Sequence, residues 1–106
     1  MKLLLDECID VRLKNFISEH EVRTVQEMRW LGKVNGELLR LVNENGFNVF
    51  ITTDKKLQYQ QNVKRYSFAV VTLDTPRSTL ENWKLLIPKM MTILQNVIVG
   101  KVYEVK

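Results

Sequence analysis

The chain has 106 residues, 45% of them hydrophobic and 26% charged, with a formal net charge of +4. That describes one globular domain with a single modest core, and the basic excess favours an anionic partner. The lone cysteine, Cys8, excludes an internal disulfide framework and a thiolate metal cluster, which suits a reducing cytoplasm. No apolar run approaches the roughly 18 residues of a membrane span, and the apolar start at Met1 is too short for a signal peptide.

Taken in order, Lys2-Leu3-Leu4-Leu5 is continuously apolar and predicts a short central strand that stops at Asp6-Glu7-Cys8. Ile9, Leu13, Phe16 and Ile17 recur at helical spacing and predict a helix over about residues 9–19. Residues 20–25 predict a second strand, with His20 a surface or helix-end residue rather than a ligand. A helical turn over residues 26–30 and a loop anchored by Trp30 follow. Asn35-Gly36-Glu37 then opens a helix with Asn35 as N-cap and Glu37 in the first turn, and Gly46 closes it.

Residues 47–53 form the strongest predicted strand, ending at Asp54, and residues 55–61 a polar helix. Residues 68–73 predict another strand that runs into Asp74. Ser78-Thr79-Leu80-Glu81 matches a capping box, and an apolar stripe of Leu80, Trp83, Ile87, Met90 and Leu94 runs to about residue 95, with a kink or restart at Pro88. Residues 97–99 and 102–105 predict a final edge strand. Alternating strands and helices predict an α/β domain over residues 1–106. Its architecture is a three-layer α/β/α sandwich around a mainly parallel sheet of four to five strands.

Three predicted strands thus end in acids: Asp6 with Glu7, Asp54, and Asp74. Ligands of open parallel sheets bind outside the carboxyl ends of the strands. Asp6, Glu7, Glu37, Asp54 and Asp74 are hard oxygen ligands of the kind that suit Mg²⁺ or Mn²⁺, and such an ion can position water against a phosphodiester. Capping and helix-dipole roles account for the same carboxylates equally well at Glu37. Lys55, Lys56, Tyr59, Lys64 and Arg65 interleave positive charge with an aromatic ring, a pattern that can follow a phosphate backbone and stack on bases or simply be a solvated face. The amides Gln60, Gln61 and Asn62 have no simple core role. No Gly-rich phosphate loop and no nucleophile–histidine pair compete with these acids.

The segments LLLDE, NGELL and VFITTDKKL, with EVRTVQEM and QYQQN between and after them, resemble the short PIN-like proteins over about residues 1–74. These are related to the PIN-domain ribonucleases, including the toxin halves of bacterial toxin–antitoxin pairs. The resemblance implies an α/β/α sandwich and a cytoplasmic, Mg²⁺- or Mn²⁺-dependent endoribonuclease acting on RNA, with an antitoxin protein as partner and homodimers common. It also implies that Asp6 and Asp54 are metal ligands, that Glu7 and Glu37 support them, and that Asp6, Glu37 and Asp54 do the catalysis. One position departs: related chains often carry Asp where Asn35 stands, so a catalytically weak or inactive PIN-like binding protein is an alternative. Another is a receiver-type phospho-acceptor module, because such modules end their first strand in paired acids and place the acceptor Asp at the end of a later strand, much as Asp6-Glu7 and Asp54 stand here.

Overall fold

The computed structural model describes residues 1–106. One five-stranded, all-parallel sheet carries the fold, in the order β2-β1-β3-β4-β5. The strands are β1 (Lys2–Leu5), β2 (Glu21–Thr24), β3 (Val49–Thr52), β4 (Ala69–Leu73) and β5 (Val102–Val105). Leu3 pairs with Val49, Val49 with Ala69, and Val71 with Tyr103. Central strands of a parallel sheet are buried on both faces. Accordingly β3 and β4 carry no exposed residue and read as unbroken VFIT and AVVTL.

Side chains alternate between the faces, so odd and even strand residues enter different cores. Leu3, Leu5, Val49, Ile51, Ala69 and Val71 pack under a 3₁₀ helix (Val11–Phe16) and α3 (Leu80–Leu94). Leu4, Phe50 and Val70 pack on the opposite face under α1 (Asn35–Glu44), α2 (Leu57–Gln60) and the 3₁₀ turn Val63–Arg65. The sheet therefore lies between two helical layers.

The connections have one irregularity. The crossovers β2→β3 and β3→β4 step towards β5 under the layer of α1 and α2, whereas β1→β2 steps the other way under the opposite layer. Reversing both direction and face preserves the hand, so these connections agree. The β4→β5 crossover also steps towards β5, but α3 lies in the other layer. Its hand is opposite, an exception to a rule that holds for about 98% of such units.

Several sequence expectations are corrected at element ends. The helix expected over residues 9–19 is a 3₁₀ helix over Val11–Phe16 only, because Asp10 caps Arg12 and the backbone returns to extended geometry at Ile17. The helical turn expected over residues 26–30 is present as a turn over residues 25–29, where Met28 N–H reaches Thr24 O, and it is tied by a reciprocal pair: Thr24 N–H donates to Glu27 Oε1, and Glu27 N–H to Thr24 Oγ1. The N-cap of α1 is Val34, not Asn35, and no side chain caps that end. Its other end closes as expected: Gly46 sits at φ +72°, while Phe47 N–H reaches Val42 O and Gly46 N–H reaches Asn43 O. That pairing is a Schellman motif, which needs a left-handed residue and favours glycine. The polar helix after Asp54 shrinks to Leu57–Gln60.

At α3 the cap is Thr79, whose hydroxyl accepts from Asn82 N–H, so the expected box starting at Ser78 is one residue out of register. The helix runs through Pro88 without a break. Residues 97–99 form no strand; the edge strand is Val102–Val105 alone. No helix is long and apolar enough to cross a membrane.

Candidate functional site at the carboxyl edge of the sheet

The strand order reverses between β1 and β3, because β1 leads outward to β2 and the chain then returns past it. Helices on either side of such a point diverge and leave a crevice at the carboxyl ends of the strands. Asp6 and Thr52 stand there. Leu5 is in register with Ile51, and Asp6 N–H donates to Ile51 O, so Asp6 extends β1 beside Thr52.

The Thr52 hydroxyl is fully buried and joins the two strand ends. It donates to Asp6 Oδ2 at 2.7 Å and accepts from Asp54 N–H at 3.1 Å. Beside the Thr52 bond, the Asp6 carboxylate accepts two more: Glu7 N–H donates to its Oδ1 at 2.8 Å, and Cys8 Sγ donates to its Oδ2 at 3.6 Å. Thr53 Oγ1 in turn donates to Cys8 Sγ at 3.0 Å. Burial pushes the Cys8 thiol above its ordinary pKa, the Thr53 bond opposes that, and the Asp6 carboxylate reinforces it. Asp54 is not the last residue of β3 but lies beyond it, where its Oδ1 accepts from Lys56 N–H and starts the following turn.

The remaining candidates divide. Glu37 Oε1 is paired with Lys33 at 3.1 Å, and Asp74 Oδ1 with Lys55 at 3.2 Å. Neither acid hydrogen-bonds Asp6 or Asp54, and the Lys55 ammonium holds the Asp74 carboxyl below its ordinary range. No three His, Cys, Asp or Glu side chains come together as a group able to hold a metal ion. Asn35 is the first helical residue of α1. Tyr59 is 84% exposed, and Lys56 and Lys64 form no ion pair. Arg65 lies over the Tyr66 ring, 5.0 Å from its centroid. Gln60 is exposed, while Gln61 Oε1 lies 3.9 Å from where a Cβ on Gly36 would stand, so the end of α2 abuts the start of α1. Gln61, Asn62 and Lys64 line an open cleft of about 460 Å³ together with Lys101.

Sequence reasoning missed Thr52 and Thr53 as site residues, although the TTD run displayed both hydroxyls between strand and acid. It also took Trp83 for core alone and left Gln26 without a role. A second open cleft, of about 440 Å³, lies between the Asp6–Val11 turn and the start of α3, and both residues line it. Gln26 Oε1 and Trp83 Nε1 are shielded from solvent and have no hydrogen-bond partner. Each such group costs about 1–3 kcal/mol when left unmade.

No protein-family model, curated protein or solved structure matches the chain.

Proposed function

We propose that this protein is a PIN-like endoribonuclease that uses Mg²⁺ or Mn²⁺, the toxin half of a toxin–antitoxin pair. The observation that carries the reading is the Thr52 hydroxyl, which donates to the Asp6 carboxylate and accepts from the Asp54 backbone N–H where the strand order reverses. Magnesium is usually held by one or two carboxylates together with substrate phosphates, not by an all-protein cage. Two acids at a strand-end crevice suit that demand even though no three-ligand group is formed. Asp6 and Asp54 would hold the ion, which supplies charge to a phosphodiester oxygen and an activated water. Glu7 and Glu37 would act from the rim. Lys55, Lys56, Lys64 and Arg65 would contact the RNA backbone, with Tyr59 offering a stacking face. RNA, an antitoxin protein and a second copy of the chain are the partners this reading names, in the cytoplasm.

The test is cleavage of single-stranded RNA by purified protein with Mn²⁺, against Asp6→Asn and Asp54→Asn. Metal-dependent cutting lost in both variants supports the reading; parent protein that cuts no RNA with either ion sinks it.

One observation favours a second reading. The order β2-β1-β3-β4-β5, with Asp6-Glu7 after β1 and Asp54 after β3, is also that of flavodoxin-like phospho-acceptor modules. Against it stands the β4→β5 crossover, whose hand departs from the regular doubly wound pattern. Incubation with acetyl phosphate separates the two: a phosphoryl adduct at Asp54 would replace the nuclease reading.

A further inference from the structure

We infer that the outer edge of β5 is a docking surface for the same edge of a second copy of this chain, paired antiparallel about a two-fold axis at Tyr103. The nuclease reading names a second copy without placing it; this contact rests on the sheet edge alone and is independent of catalysis.

The two edges of the sheet differ. At β2 most outward backbone groups are used by the chain itself: Val22 O accepts from Arg23 Nη1, Thr24 N–H donates to Glu27 Oε1, and Thr24 O accepts from Met28 N–H. At β5 the ladder to β4 runs through the odd residues, with Lys101 O accepting from Val70 N–H and Val105 O from Asp74 N–H. Val102 and Glu104 therefore turn their N–H and C=O groups outward, and no group of the chain meets them. Such a row is a template for a further strand. Because α3 packs in the opposite layer, the Glu104 side chain is left exposed as well.

Charge and register select the occupant. Val102 lines the open cleft of about 460 Å³ together with Lys64 and Lys101, and no acid lines it. Neither lysine forms an ion pair. Pairing Val102 with the partner's Glu104 sets that carboxylate on the same face, at the mouth of the cleft. In its own chain Glu104 has only a 3.6 Å contact with Lys106, at the surface. Val102 and the partner's Glu104 then exchange both backbone bonds, and the two Tyr103 residues form the closer, non-hydrogen-bonded pair at the axis. Other registers are poorer. Glu104 against the partner's Glu104 sets like charges opposite each other. Val102 against the partner's Val102 brings Glu104 to the partner's Gly100, whose N–H is already donated to Phe68 O. The dimer closes on itself, because the edges left over are the two β2 strands.

Sedimentation equilibrium of the purified chain should show monomer and dimer and nothing larger. Glu104→Pro removes one outward N–H without touching the β4 ladder, as proline on an edge strand can. It should abolish the dimer while circular dichroism stays that of the parent. Glu104→Lys should weaken dimerisation about tenfold or more, and adding Lys64→Glu should restore part of the loss. Disulfide trapping in a Cys8→Ser background reads the register. Tyr103→Cys should cross-link under mild oxidation, since non-hydrogen-bonded partners bring Cα atoms to about 4.5 Å. Glu104→Cys, diagonal to its own copy at about 7–8 Å, should not. A parent that stays monomeric at millimolar concentration, or that assembles beyond the dimer, overturns the interface. So does a folded Glu104→Pro that dimerises like the parent, an affinity that Glu104→Lys leaves unmoved, or trapping through Glu104→Cys in preference to Tyr103→Cys.

Discussion

Two neighbouring rows of residues cross the same face of the sheet, one pleat repeat apart. The first is Leu4, Phe50, Val70 and Val102; the second is Asp6, Thr52, Thr72 and Glu104. The strands, register and facing layer are shared. Only the distance to the carboxyl edge differs, and that alone changes the chemistry from closed core to hydrogen-bonding site. Within the second row the two threonines differ again. Thr52 is fully buried with its hydroxyl bonded on both sides, while Thr72, 3% exposed, makes no side-chain hydrogen bond to the protein. Burial of a hydroxyl therefore does not mark the site; the partners that it joins do.

The first way to break this contrast is at the apolar row. Phe50→Ala should destabilise the fold by about 3–5 kcal/mol in urea unfolding, because it empties the centre of a closed layer. An effect under about 1 kcal/mol would mean that the row is loosely packed. At the polar row, Thr52→Val keeps the shape but removes a bond to a carboxylate and leaves Asp54 N–H unpaired. A loss of about 1–3 kcal/mol is expected, together with loss of the metal-dependent cleavage proposed above.

Thr72→Val sharpens the comparison. With no side-chain bond to break, the change should stay within about 0.5 kcal/mol in the same measurement. A loss equal to that of Thr52→Val would show that any buried hydroxyl in the row is stabilising, and the special position of Thr52 would disappear.

The smallest expected effect is at Cys8. Its folded pKa is raised, so the unfolded thiol gives up its proton first as pH increases. The associated stability is fully present below the ordinary thiol pKa and is lost as pH rises through the folded value. Alkylation by iodoacetamide should accordingly follow a pH profile displaced upward from that of a free thiol, and Thr53→Ala should displace it further, since Thr53 opposes the shift. A profile matching the free thiol would detach Cys8 from the Asp6 cluster.

How much of this was legible in the residues follows from where the information resides. Unbroken LLL, VFI and AVV runs identify strands buried on both faces, because only a sheet covered by two layers has no polar face to show. Gly46 marked its helix end because the left-handed conformation there excludes most side chains, and Asp6 and Asp54 announced the carboxyl edge by interrupting those runs. The exact ends of the elements were less visible. A cap at Thr79 rather than Ser78 turns on one hydrogen bond, and residues 9–19 carry helical spacing that the tight return to β2 cuts short.

The sequence by itself determined the class, the number of strands within one, and the acids that terminate them, since burial and backbone freedom are properties of short segments. Only the tertiary structure decided which strand ends meet. Strand order brought the Asp6 carboxylate to the Thr52 hydroxyl, which also accepts from the Asp54 backbone N–H, while Lys33 and Lys55 kept Glu37 and Asp74 in pairs of their own. The packing of α3 into the layer of the first 3₁₀ helix likewise set Trp83 beside Gln26. Neither meeting is written locally, because the partners lie dozens of residues apart and are joined by the order in which strands pair.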